Sequence, residues 1–156
     1  MNFVDRRAFQ PELSASTEQP NEIALLVARW FAHRARAQSL WAEMDVLALQ
    51  GIDATEQPAA MLCEESSDAV ASAEGILETL SRVLPRTIEE AHRLLSVTSA
   101  IIHHRSRKGD ITESLAVGPV LQIIDNIGLG LRVIGGELPY GDAHDALLIR
   151  RADTAL

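Results

Sequence analysis

The chain is poor in the residues that supply cross-links, aromatic contacts and lysine charge. Cys63 is the only cysteine among 156 residues. No disulfide can close within the chain, which fits a reducing compartment, and a cytoplasmic location is expected. Three Phe, two Trp and one Tyr leave the core to Leu, Ile, Val and Ala. That supply suits closely packed helices better than a β-sandwich. Lys108 is the single lysine against thirteen arginines, and the net charge of −8 weighs against nonspecific nucleic-acid binding.

Long apolar runs and catalytic signatures are also missing. Arg6 and Arg7 precede the broken stretch Phe9-Gln10-Pro11-Glu12-Leu13, so no signal peptide is read. The nearest approach to a membrane span, 115–134, carries Pro119, Gln122, Asp125, Asn126 and Arg132. It reads as a helix of the fold, and no membrane partner is expected. No phosphate loop, His-Glu-x-x-His, Cys-x-x-Cys or Gly-x-Ser-x-Gly occurs, and Gly128-x-Gly130 lacks the third glycine of a dinucleotide site. A chain without enzymatic activity and without a cofactor is the expectation.

What is present is helical periodicity. Apolar residues make up 47% of the chain and charged residues 23%, the balance of a folded domain. Residues 1–20, with Pro11, Pro20 and scattered serines, read as an extended arm. A long first helix from about residue 21 to Gln50-Gly51 buries Ile23, Leu26, Val27, Trp30, Ala37, Leu40, Trp41, Met44 and Leu47. A second helix, capped by Thr55 with Pro58 in its first turn, runs to about Leu84. Its inward residues are Leu62, Cys63, Val70, Ala73, Leu77, Leu80 and Leu84. Its first half, rich in Ser and Ala, is either loosely packed or pressed close to another backbone.

The third helix has both ends written in the sequence. Pro85 stops the preceding helix, Thr87 and Glu90 form a capping box, and basic residues followed by Gly109 close the C-terminus. Its buried stripe is read as Ile88, Ala91, Leu95, Thr98 and Ile102. Asp110 with Glu113, or Ser114, caps a fourth helix with Leu115, Val117, Val120, Leu121, Ile124, Ile127, Leu131 and Ile134. That helix is apolar over most of its circumference, which places it at the centre of the bundle or in a subunit interface. Gly118, Gly128 and Gly130 would let another backbone approach it. Gly135-Gly136 ends it, and a short helix is expected between Asp142 and Arg151.

These elements predict an all-α, up-down bundle of about four main helices, with the bundle at 21–136, a mobile arm before it and a tail at 137–156. Segment 37–81 has no basic residue, whereas 82–108 has six basic and two acidic. These could pair across a hairpin, but two solvated faces are the preferred reading. The functional expectation is self-association or docking of another protein through Leu121, Ile124, Ile127, Leu131 and Ile134, with Trp30 and Trp41. A metal or small ligand held by Glu89, His92, Glu64 and Glu65 is the alternative, although Glu89-x-x-His92 occurs once and a di-iron bundle needs two copies. A third reading puts an anion or nucleic acid on Arg105, Arg107 and Lys108. Asp142-x-His144-Asp145 has ligand types that share a face only if the tail is extended.

Overall fold

A computed structural model describes residues 22–108 and 117–154. The N-terminal arm, the turn at Gly109-Asp110 and the caps expected at Asp110, Glu113 and Ser114 lie outside the described residues. All regular structure within them is helical: α1 (Glu22–Leu49), α2 (Ala59–Leu80), α3 (Ile88–Lys108), α4 (Val117–Ile134) and α5 (Tyr140–Thr154). The all-α bundle expected from the periodicity is the fold.

The first hairpin is the most extensive packing in the molecule, with α1 lying along α2. Its α1 face is the one the spacing predicts, burying Ile23, Val27, Trp30, Ala37 and Leu40. On α2 the inward face differs from the expectation. Ala59, Ser66, Ala69, Ala73, Ile76, Leu77 and Leu80 are buried, while Cys63 is exposed. Small side chains fill the contact because the two backbones are pressed together, so the Ser/Ala-rich half of α2 is close-packed. Ser66 and Ser67 turn their hydroxyls back onto the Cys63 carbonyl at 2.9 Å, which leaves no polar group competing in that contact.

The helix ends follow local rules. Gly51 (φ 80°) and Gly136 (φ 74°) take left-handed conformations after α1 and α4. At each, the next residue's N–H reaches back into the last turn, Ile52 to Leu47 at 3.1 Å and Glu137 to Arg132 at 2.9 Å, the Schellman closure that glycine permits. Thr55 does not cap α2. Its N–H and hydroxyl both donate to the Asp53 carboxylate, at 2.9 and 2.8 Å. Those two bonds hold the Asp53 carboxyl below its ordinary range, slightly opposed by desolvation. Half of the capping box of α3 forms as read, Glu90 N–H donating to Thr87 Oγ1 at 3.1 Å, while the Glu90 carboxylate reaches one residue further back and accepts from Arg86 N–H at 2.6 Å.

The second hairpin, α3 and α4, stacks on the first, α3 against α1 and α4 against α2, with α5 against α4. The main core gathers Trp30 and Val27 from α1, Ile76 and Leu80 from α2, Leu94, Val97 and Ile101 from α3, and Val120 and Ile123 from α4. The core is therefore shared by four helices, and α4 is not its centre. α3 is rotated from its expected setting: Ala91, Leu94, Val97, Thr98 and Ile101 are buried, while Ile88, Leu95 and Ile102 are exposed. Leu84 lies beyond the end of α2 and joins Leu129 and Ala143 in a smaller cluster under α5. Among the described residues, ion pairs run from Arg36 on α1 to Glu65 on α2, within a turn at Glu78–Arg82 and Glu89–Arg93, and from Arg132 to Glu137.

Candidate association surface

The surface of α4 is made by what holds its other side. Asn126, in the middle of the helix, is 2% exposed. Its Nδ2 donates to the Ser81 carbonyl at 2.9 Å and the Val83 carbonyl at 3.2 Å. One side chain thereby satisfies backbone acceptors left over where α2 ends. One turn further on, a Cβ on Gly130 would lie 2.5 Å from Pro85 Cγ and 2.6 Å from the Pro85 carbonyl oxygen. Glycine is required there because the α2–α3 connection presses onto the helix. Asn126 and Gly130 thus fix the rotation of α4 about its axis.

That rotation turns a continuous apolar row outward. Val117, Leu121, Ile124, Gly128 and Leu131 recur at spacings of four, three, four and three, and the four large ones are 42–57% exposed. Gly128 sits within the row, and a Cβ there would meet nothing within 4 Å among the described residues. Ile127, packed on the main core, borders the row on one side; exposed Asp125 and Arg132 border it on the other. On α3, packed beside α4, Ile88, Leu95 and Ile102 form a second row, 50–59% exposed and seven residues apart. Single exposed apolar residues are ordinary on any protein. A continuous row along one helix is not, and contiguous apolar patches mark association surfaces.

Of the residues expected at an interface, Leu121, Ile124 and Leu131 lie on this surface. Ile127 and Ile134 are half-buried at its border. Trp30 is not an interface residue: it is 4% exposed, inside the core, with Phe31 edge-on at 4.9 Å and the Arg34 guanidinium 5.9 Å from its ring. Trp41 is half-buried on α1, away from the α4 row in the chain's packing order. Val117 and the α3 row were not read as interface residues, although a strict seven-residue repeat of Ile, Leu and Ile was there to be read.

The other candidate sites are not assembled. Glu89 pairs with Arg93 at 2.6 Å and Glu65 with Arg36 at 2.7 Å, so the carboxylates proposed for a metal are engaged in different parts of the fold. Among the described residues, no three His, Cys, Asp or Glu side chains come together as a metal site. Asp142, His144 and Asp145 are helical, so Asp142 and His144 diverge rather than share a face. The backbone of α3 is helical through Lys108, while the side chains of Arg105, Arg107 and Lys108 lie outside the described residues.

Two grooves flank the bundle. One, of about 610 Å³, lies among Glu22, Arg82, Arg86, Tyr140 and His144. Arg86 spans it, donating to the Tyr140 hydroxyl at 2.8 Å with its guanidinium 4.7 Å from the ring centre. This contact clasps the start of α5 to the α2–α3 connection. The other groove, about 560 Å³, runs between α1 and α3 beside Phe31, Arg34 and His103.

No known protein family, curated protein or solved structure matches this chain. Function is therefore read from geometry.

Proposed function

We propose that this chain is a non-enzymatic helical module that associates with protein through the outer face of α4. The observation carrying this reading is the row Val117, Leu121, Ile124 and Leu131, 42–57% exposed on a helix whose rotation is fixed by Asn126 and Gly130. A helix free to turn would bury such a row. This one is held out by two hydrogen bonds and a close backbone contact, so its exposure is built into the fold.

α4 is long and apolar enough to cross a membrane by length and composition, and 28% of it is buried within the fold. Two features favour protein over lipid as the neighbour of its outer face. Asp125 and Arg132 border the row, and the strict alternation of four and three is the spacing by which one helix meets another. A lipid surface selects a broad apolar arc and has no use for that register.

The test is a pair of surface substitutions, Leu121→Glu with Leu131→Glu. Both side chains are exposed, so the variant should keep its helical circular-dichroism spectrum and one cooperative transition, its midpoint lowered only by the stabilisation that association supplies. The wild-type chain is expected to sediment as an assembly and the variant as a monomer. A wild-type chain that sediments as a monomer at every concentration, indistinguishable from the variant, overturns the reading.

A further inference from the structure

The geometry points to a second copy of this chain as the occupant of the α4 face, packed antiparallel about a two-fold axis between Ile124 and Gly128. This inference rests on the reading of that face as a docking surface, and it adds the partner and the register.

Size along the row decides the direction. The order is Val117, Leu121, Ile124, Gly128, Leu131, and Gly128 leaves open space above its Cα. A parallel, in-register pair would set Gly128 against Gly128 and leave a void in the middle of the contact. An antiparallel pair sets Ile124 of each copy over Gly128 of the other, and Leu121 opposite Leu131. Symmetry repeats both layers, so each gap receives a side chain. Among the described residues nothing packs on Gly128, although a mid-helix glycine is unfavourable. Receiving Ile124 from a partner gives it a task.

Charge selects the same arrangement. Asp125 and Arg132 are seven residues apart on one flank of the row, and the opposite flank holds the half-buried Ile127 and Ile134. In a parallel pair the charged flank of one copy faces the apolar flank of the other. In an antiparallel pair like flanks meet, and Asp125 comes within reach of the partner's Arg132 because each side chain leans toward its own helix N-terminus. Arg132 already lies 3.8 Å from Glu137, and the partner's carboxylate would join that pair. α4 has 18 residues, so the row runs about 27 Å along the contact.

The experiment is disulfide mapping of the full chain in a Cys63→Ser background, since Cys63 is exposed. Leu121→Cys and Leu131→Cys chains are oxidised separately and then mixed. The expected result is a covalent dimer only in the mixture, joined from position 121 to position 131. In the antiparallel pair the two copies of position 121 stand about 15 Å apart along the axis. Covalent dimers from either variant alone overturn the antiparallel register. Charge exchange gives an independent readout. Asp125→Arg or Arg132→Asp should each weaken the dimer about five- to thirtyfold, and the combined exchange should restore it to within about threefold; failure of the exchange to restore it also overturns the register.

The two levels fail differently. If Leu121→Glu/Leu131→Glu abolishes association but the cross-links are 121 to 121, the docking face stands and the antiparallel pair falls. If the wild-type assembly contains a different chain, the second copy is excluded and the docking face stands; if the chain is monomeric and binds phosphatidylcholine vesicles, both fall. If a dimer persists in the double-Glu variant, the face itself is wrong.

Discussion

The same substitution two residues apart on α4 should have opposite effects. Gly128→Ala places a methyl where none of the described residues lies within 4 Å, whereas Gly130→Ala places one 2.5 Å from Pro85 Cγ and 2.6 Å from the Pro85 carbonyl oxygen. Both changes remove the entropic disadvantage of helical glycine, about 0.8–1 kcal/mol relative to alanine. At position 128 that gain stands alone. At 130 the connection must move, and Pro85 cannot rotate away: its ring is rigid and its carbonyl belongs to a buried segment under Leu84 and α5. Overpacking of this kind costs about 1–3 kcal/mol, and it has backbone on both sides here, so the upper half applies. The net expectation is about 0.5–1 kcal/mol of stabilisation for Gly128→Ala and about 1–2 kcal/mol of destabilisation for Gly130→Ala. For a chain of this size the midpoints should separate by roughly 4–12 °C. Calorimetry in the Leu121→Glu/Leu131→Glu background keeps association out of the comparison. Equal stabilisation by the two substitutions would refute the packing of Pro85 on α4, and with it the fixed rotation of that helix.

Three further outcomes follow from individual contacts. Asn126→Ala should destabilise by about 2–4 kcal/mol in urea unfolding, because the Ser81 and Val83 carbonyls lose their donor; Asn126→Asp should be worse at neutral pH and partly recover in acid, where the protonated carboxyl can donate once. Thr87→Ala should cost about 1 kcal/mol by removing the acceptor of the Glu90 N–H, and an unchanged urea midpoint would count against the cap. The Asp53 carboxyl should titrate below the ordinary carboxylate range because Thr55 donates to it twice, so its contribution is present at neutral pH and fades as pH falls through that lowered pKa. Thr55→Val removes the hydroxyl bond and should raise the Asp53 midpoint in a carboxyl-carbon NMR titration; no movement would show that the bond does not form.

Helix ends were more legible than helix faces. Gly51, Gly136 and the Thr87–Glu90 box mark boundaries through local chemistry, and the fold uses all three. Faces depend on what lies opposite. On α3 the buried Ala91 and Thr98 lie between two apolar rows, Leu94, Val97 and Ile101 on one side and Ile88, Leu95 and Ile102 on the other. Spacing joins them to either row alike; the expected stripe takes them with the exposed row, and the fold takes them with the buried one. On α2 the inward face is built from Ala59, Ser66, Ala69 and Ala73, which a search for large residues passes over, so exposed Cys63 was counted as inward. Close helix approach favours small side chains, and nothing within one helix reports how near its neighbour will come.

The candidate surface was half legible for a related reason. The unbroken apolar circumference of α4 announces that part of it lacks an intrachain partner, and Leu121, Ile124 and Leu131 follow from that. Which arc turns outward is fixed by Asn126 and Gly130, whose partners at Ser81, Val83 and Pro85 are some 45 residues away in sequence. Trp30 could not be assigned from sequence alone, since a tryptophan serves a core or an interface equally well.

The most direct measurement is an isotope-filtered NOE experiment on an equal mixture of methyl-labelled and unlabelled chains. Association through the α4 face predicts intermolecular contacts from the methyls of Val117, Leu121, Ile124 and Leu131. Intermolecular contacts confined to other helices, or none at concentrations where the chain is assembled, would contradict it.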